Sequence, residues 1–277
     1  MLPMLSGDST VNIKAKEPDY TIVTEIPANR GSQEQITRLY ARYRFASEYC
    51  KNKDVLEVAC GAGIGLGYLA KFAHKVVGGD IDENNLKFAL ETYNGRSNIE
   101  ILPLDAHSLS FDNGSFDVVI LYEAIYYLPR PEEFLDEARR VLRSNGTLII
   151  CTANKDWPGF NPSPYSYRYF SASELYSLLK NNGFDVELFA DCPVLTDSFK
   201  DKLVSIIKKT TVKLHLIPKT MKGKEKFKRL FFGKLVPLPP EITDDMGIKY
   251  SSPVSIPHDN PITQYKVLFA LAHARKC

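Results

Sequence analysis

The stretch Glu57-Val58-Ala59-Cys60-Gly61-Ala62-Gly63-Ile64-Gly65 places glycines at three alternate positions directly after an apolar run. Glycines at a strand-to-helix turn let the backbone pass close to a ligand in torsions that a side chain forbids. The helix that follows such a turn offers free N–H groups at its start. Asp80 stands 17 residues past Gly63, at the end of the next apolar run. A carboxylate there can accept hydrogen bonds from both hydroxyls of a ribose, and Asp82 is free to cap the following helix. A glycine turn alone also fits tight packing; joined to Asp80, it reads as a nucleoside site. Two cofactors then remain open, a nicotinamide or flavin dinucleotide and S-adenosylmethionine. The dinucleotide fingerprint wants a third small residue five positions after the first, and that position is Leu66.

A second group follows a later apolar run, Tyr122-Glu123-Ala124-Ile125-Tyr126-Tyr127. A carboxylate and hydroxyls at a strand end can bind an acceptor or move a proton, which makes Glu123, Tyr126 and Tyr127 the candidate catalytic residues. The tyrosines fit half-buried packing equally well. A third group is the loop from Trp157 to Phe170, rich in aromatics and proline. Ligands of open α/β sheets bind beyond the carboxyl ends of the strands, so Trp157 and Tyr165 are candidate substrate residues. The five cysteines are scattered, with no C-x-x-C pair. That pattern predicts neither a disulfide framework nor a metal site, and fits a cytoplasmic location.

These residues need elements to position them. Buried strands are predicted at Asp54–Ala59, Lys75–Asp80, Ile99–Leu104, Phe116–Leu121 and Thr147–Cys151. Helices are predicted after Gly65, over Glu83–Tyr93 and over Pro131–Leu142. An earlier helix starts near Ser32 as N-cap, with Ile36, Leu39, Tyr40 and Tyr43 on one face. Alternating strands and helices imply βαβ units and a doubly wound, mostly parallel sheet. Ser171 begins a further helix, Phe184–Ala190 is a sixth strand, and Tyr265–Ala272 closes the chain as a strand.

The 277 residues are 44% hydrophobic and 25% charged, which excludes a wholly disordered chain. The first ten residues lack the basic and apolar regions of a secretory signal, and no run is long enough to span a membrane. The net charge of +2 conceals a segment, Lys200 to Lys234, with twelve basic residues against two acids. Apolar residues interleave with these lysines as in amphipathic helices. A solvated face is the plainest reading; attraction of an anionic acceptor or peripheral contact with a membrane surface are the others.

Together these motifs resemble class I S-adenosylmethionine-dependent methyltransferases. Glu57 through Gly65 is similar to their first motif and Gly78-Gly79-Asp80-Ile81-Asp82 to their second. Leu104-Asp105-Ala106 with Phe116-Asp117-Val118-Val119 resembles the ubiquinone/menaquinone-type small-molecule branch, and Glu137 to Gly146 the helix and turn before the fifth strand. Ser144-Asn145 departs from the usual proline-glycine, but asparagine tolerates a left-handed turn. The resemblance implies a Rossmann-like, seven-stranded sheet with an antiparallel last strand. It places Ala59, Gly61 and Gly63 around the methionine part, Asp80 at the ribose and Ile81 on the adenine, with Glu57 a further cofactor-binding residue. Asp105 would accept from the adenine amino group, beside Ala106 and with His107 as a neighbour. Leu121 would lie near the sulfonium, and Arg44 on the first helix would meet the carboxylate, a solvated helix face being the alternative for it.

The chain thus divides into an irregular arm (1–31), a cofactor-binding core (32–190), a basic helical insertion or lid (191–262) and a closing strand (263–277). The expected activity is methyl transfer to oxygen or nitrogen of a small molecule, with an anionic or sugar-linked acceptor in view and no nucleic acid. A nicotinamide-dependent oxidoreductase and a non-catalytic S-adenosylmethionine-binding module are the alternatives.

Overall fold

The structure is a computed structural model that describes residues 20–163, 165–194 and 235–275. A short strand, β1 (Arg30–Ser32), leads into α1 (Gln33–Ser47). Ser32 caps that helix, its hydroxyl accepting from the Gln35 N–H at 3.1 Å. Then come β2 (Asp54–Val58), α2 (Leu66–Ala70), β3 (Lys75–Asp80), α3 (Glu83–Thr92) and β4 (Ile99–Pro103). They are followed by β5 (Phe116–Tyr122), α4 (Pro131–Val141), β6 (Leu142–Ala153), α5 (Ala172–Asn181) and β7 (Phe184–Pro193). The last strands are β8 (Leu235–Pro237), β9 (Val254–Ser255) and β10 (Tyr265–Ala274).

The main sheet runs β4-β3-β2-β5-β6-β10-β7-β9. Strands β2 to β6 pair in parallel, and β10 lies antiparallel between β6 and β7. The doubly wound sheet with an antiparallel closing strand is therefore present, and β9 adds a two-residue edge to the seven strands expected. Helices on both faces explain the continuous apolar runs. Leu56, Val58, Val119, Leu121 and Ile150 pack with Phe134, Leu135 and Leu175 of α4 and α5. Val55, Val76, Val118, Ile120 and Ile149 pack with Leu39, Leu69 and Leu86 of α1, α2 and α3.

The basic segment and most of the expected helical insertion lie at 195–234, outside the described residues. After it, residues 235–246 form a strap. β8 pairs with β1, and the Leu238 N–H donates to the Asn29 carbonyl at 2.8 Å. Further on, the Ile242 N–H donates to the Ile64 carbonyl at 3.1 Å. Asp244 Oδ1 accepts from the hydroxyls of Tyr40 (2.9 Å) and Tyr68 (2.7 Å), tying α1 to α2.

Candidate active site

The strand order reverses between β2 and β5, and a crevice opens beyond their carboxyl ends, as open α/β sheets require. It holds a cavity of about 1160 Å³ lined by the ends of β2, β3 and β5, the face of α1, residues 20–25 and the loop after β6.

The glycine turn leaves β2 with Ala59, Gly61 and Gly63 at φ of 55°, 57° and 72°. Gly63 has no room for a side chain, because a Cβ would stand 2.7 Å from Ala89 Cβ. Gly65 lies under the Tyr43 ring, 2.0 Å from where its own Cβ would be, so α1 rests directly on the turn. Asp80 closes the other side. Its Oδ2 accepts from the Gly61 N–H at 2.8 Å and its Oδ1 from the Asp82 N–H at 2.9 Å. Burial pushes its carboxyl above the usual range, against those two donors. Asp82 caps α3 through the Asn84 N–H, which leaves Asp80 to the cavity. Ile81 beside it is 59% exposed despite its apolar side chain.

Glu57 is buried, accepts from the Tyr43 hydroxyl at 2.6 Å, and keeps its second carboxylate oxygen without a partner. Burial raises its carboxyl to about 7. Asp105 Oδ1 accepts from the His107 N–H at 2.9 Å and meets the ring Nδ1 at 2.8 Å. Burial acts to raise the Asp105 carboxyl, and the His107 contacts outweigh it and hold it low. Among the described residues, His107 Nε2, Asn85 Oδ1 and Arg42 Nε are also buried without a hydrogen-bond partner, and all three residues line the same cavity. Buried polar atoms left unpaired are costly. Their gathering here fits a polar ligand, and the carboxylate, N–H and apolar groups around Asp80 fit a nucleoside joined to an amino acid.

The other end of the cavity is charged and aromatic. Glu123, at φ 51°, faces Arg38 (3.4 Å) and Arg42 (3.8 Å) through Oε1, and accepts from the Tyr126 hydroxyl at 3.0 Å through Oε2. Tyr127 shares a 2.6 Å hydrogen bond with Ser163. The aromatic loop is pinned back by the Tyr167 N–H on the Tyr126 carbonyl at 2.8 Å. Burial and the adjacent Glu123 push the Tyr126 hydroxyl well up, so it remains a donor.

Most expected residues thus converge: Glu57, Ala59, Gly61, Asp80, Ile81, Asp105, Ala106, Glu123, Tyr126, Tyr127 and Trp157 all line the cavity. Gly63 shapes the turn from behind. Three expectations need correction. Arg44 faces away, against Ser47, Glu48 and the Tyr250 ring, because it lies about 200° around the helix from Arg42. Arg38 and Arg42, one turn apart, line the cavity instead. Leu121 is fully buried in the core under α4, since strand alternation turns it away from its neighbour Tyr122. Tyr165 meets the Tyr20 ring at 6.3 Å without lining the cavity, and Tyr167 takes the lining position. Sequence reasoning also missed Tyr20, Thr24 and Glu25, which close over the site from a segment with no period to mark it.

With this geometry in view, residues 56–150 match the methyltransferase-domain family. A probable S-adenosylmethionine-dependent methyltransferase of Mycolicibacterium smegmatis is 32% identical over 52% of this chain and 57% of its own length. A demethylmenaquinone methyltransferase of Clavibacter sepedonicus is 33% identical over 35% of this chain and 40% of its own. The chain spans about half the length of the curated relatives it matches first. Among solved structures, the Bacillus subtilis protein YcgJ aligns with a TM-score of 0.55 at 16% identity, over 88% of this chain and 100% of that one; this likeness concerns the fold. Residues 56–150 thus carry a methyltransferase domain, and this part of the chain is similar to S-adenosylmethionine-dependent methyltransferases.

Proposed function

We propose that this protein transfers a methyl group from S-adenosylmethionine to an oxygen or nitrogen of a small molecule. The observation that carries the reading is Asp80. Its carboxylate is held by the N–H groups of Gly61 and Asp82 at the mouth of a large cavity, with exposed Ile81 alongside. In this reading Asp80 takes the ribose hydroxyls, Ile81 packs on the adenine, and Asp105 with Ala106 flanks its amino edge. The unpartnered oxygen of Glu57 meets the cationic amino group, and Arg38 or Arg42 the carboxylate. S-Adenosylmethionine supplies a methyl group on a positively charged sulfur, displaced in line with a neutral leaving group. The chain's task is then to align the acceptor and exclude water. A dinucleotide fits less well, because Leu66 fills the third small position and is fully buried over Gly63 and Gly78. The ubiquinone/menaquinone-type branch belongs to this same reading, supported by the demethylmenaquinone relative.

Isothermal titration tests it. Heat with S-adenosylmethionine and none with NAD is expected, and the reverse would overturn the assignment. Asp80→Ala removes an acceptor for two charge-assisted hydrogen bonds and should weaken binding about a hundredfold. An unchanged dissociation constant would refute the ribose role.

A further inference from the structure

The acceptor end of the cavity carries information about what enters it. Tyr20, Tyr126, Tyr127 and Phe160 line it as an aromatic wall, and four ring contacts join them through Tyr169 behind. Tyr20 meets Tyr127 at 5.7 Å, Tyr127 meets Tyr126 at 4.6 Å, Tyr126 stacks on Tyr169 at 4.3 Å, and Tyr169 meets Phe160 at 4.7 Å. Three hydroxyls of this row are engaged by protein groups. Tyr126 donates to Glu123, Tyr127 pairs with Ser163, and the Tyr169 hydroxyl accepts from the Ser163 N–H at 3.0 Å. What faces the cavity is mainly ring carbon. Three of the cations that line the cavity beside Arg30 face carboxylates: Arg38 on Glu123 at 3.4 Å, Arg42 on Glu25 at 2.6 Å, and Lys266 on Glu34 at 2.6 Å.

A sugar requires many unengaged donors and acceptors, and an anionic acceptor requires a further cation beyond the arginine given to the cofactor's carboxylate. A planar ring requires ring edges and faces, which this wall provides. One polar group stands apart. Glu123 keeps a left-handed backbone (φ 51°), a conformation that non-glycine residues seldom adopt. Its N–H donates to the Cys151 carbonyl at 2.8 Å, and its carboxylate opens onto the cavity where the ring wall meets α1.

We propose that the acceptor is a neutral aromatic hydroxyl compound, held by its ring against this wall, with Glu123 taking the hydroxyl proton. The inference rests on the methyl-transfer reading. As the oxygen–methyl bond forms, the methyl–sulfur bond breaks and its electron pair stays on sulfur, which leaves neutral. The O–H proton passes to the Glu123 carboxylate. The anionic or sugar-linked acceptor considered from the sequence is set aside.

Trp157, the only tryptophan of the chain, lines this cavity and reports binding without turnover. Titration with 4-phenylphenol is expected to change its fluorescence and release heat, and UDP-glucose to do neither. Binding of UDP-glucose in place of the phenol would overturn the acceptor class. Glu123→Gln should leave S-adenosylhomocysteine and 4-phenylphenol affinities within threefold. It should lower methylation of 4-phenylphenol about a hundredfold, yet lower that of 4-nitrophenol, ionised near neutral pH, only a few-fold. Equal losses on both phenols would overturn the proton role. Should Glu123→Gln not fold, Tyr126→Phe removes only the facing hydroxyl. It should lower the 4-phenylphenol rate severalfold without changing affinity, and an unchanged rate would count against the pair. S-Adenosylmethionine binding is measured without acceptor, so failure here is distinguishable from failure of the methyltransferase reading.

Discussion

Glu57 and Asp80 are two buried carboxylates on neighbouring strands, opening on one cavity, and their partners differ. Asp80 is held by two backbone N–H groups, whereas Glu57 has one tyrosine hydroxyl and an oxygen with nothing. Burial therefore raises Glu57 to about 7, above its value in the unfolded chain. A raised carboxyl contributes stability fully present below the unfolded pKa, about 4.3, and lost as pH rises through the folded value. Glu57→Gln should consequently melt higher than the parent at pH 8 and converge with it near pH 4. The gap is on the order of 3 kcal/mol when fully developed. The same variant should bind S-adenosylmethionine more weakly at pH 8. A parent more stable than the variant at pH 8 would mean that Arg42 already compensates the charge. At this scale the motif residues were legible because strand-end position and residue type decide their chemistry. Arg44, Leu121 and Tyr165 were not. Whether a side chain faces a cavity depends on helix phase, strand face and loop path, and a shift of one or two residues reverses each.

Elements were legible wherever an apolar run or a cap defined them. Ser32 and Ser171 cap α1 and α5, and the parallel strands read as continuous hydrophobic runs because both faces are covered. The strap at 235–246 left no such mark. It contains Pro237, Pro239 and Pro240 and lacks a period, so its register comes from tertiary contacts alone. Those contacts bear on the site. Asp244 holds the buried Tyr40 of α1 and Tyr68 of α2, while Tyr43 of α1 covers Gly65 of the cofactor turn. Asp244→Ala removes the acceptor that two tyrosine hydroxyls share and should cost about 1–2 kcal/mol. A thermal melt should show the loss, and calorimetry a severalfold weaker cofactor affinity as α1 loosens over the turn. Asp244→Asn keeps an acceptor and should lose less. Equal stability of all three proteins would show that the strap is decoration.

The whole molecule divides its charge. Residues 200–234 carry a local balance of +10 in a chain of net +2, which leaves about −8 for the rest. Long-range attraction by such a segment raises encounter rates for an anion and weakens steeply with salt. The acceptor end of the cavity makes little matching demand: Arg38, Arg42 and Lys266 face carboxylates, and the ring wall presents carbon. The sign of the segment was readable from composition, but its bearing on the reaction was not, because that depends on how cations inside the cavity are paired. The two acceptor classes then diverge in one measurement. For a neutral aromatic acceptor, kcat/KM should stay flat within twofold between about 0.05 and 0.5 M salt, with the cofactor saturating throughout. An anionic acceptor drawn in by the lysines should lose about tenfold or more over the same range. A steep decline with the phenol itself would show that the basic segment takes part in productive encounter, and would return the search for specificity from the aromatic wall to the lysines.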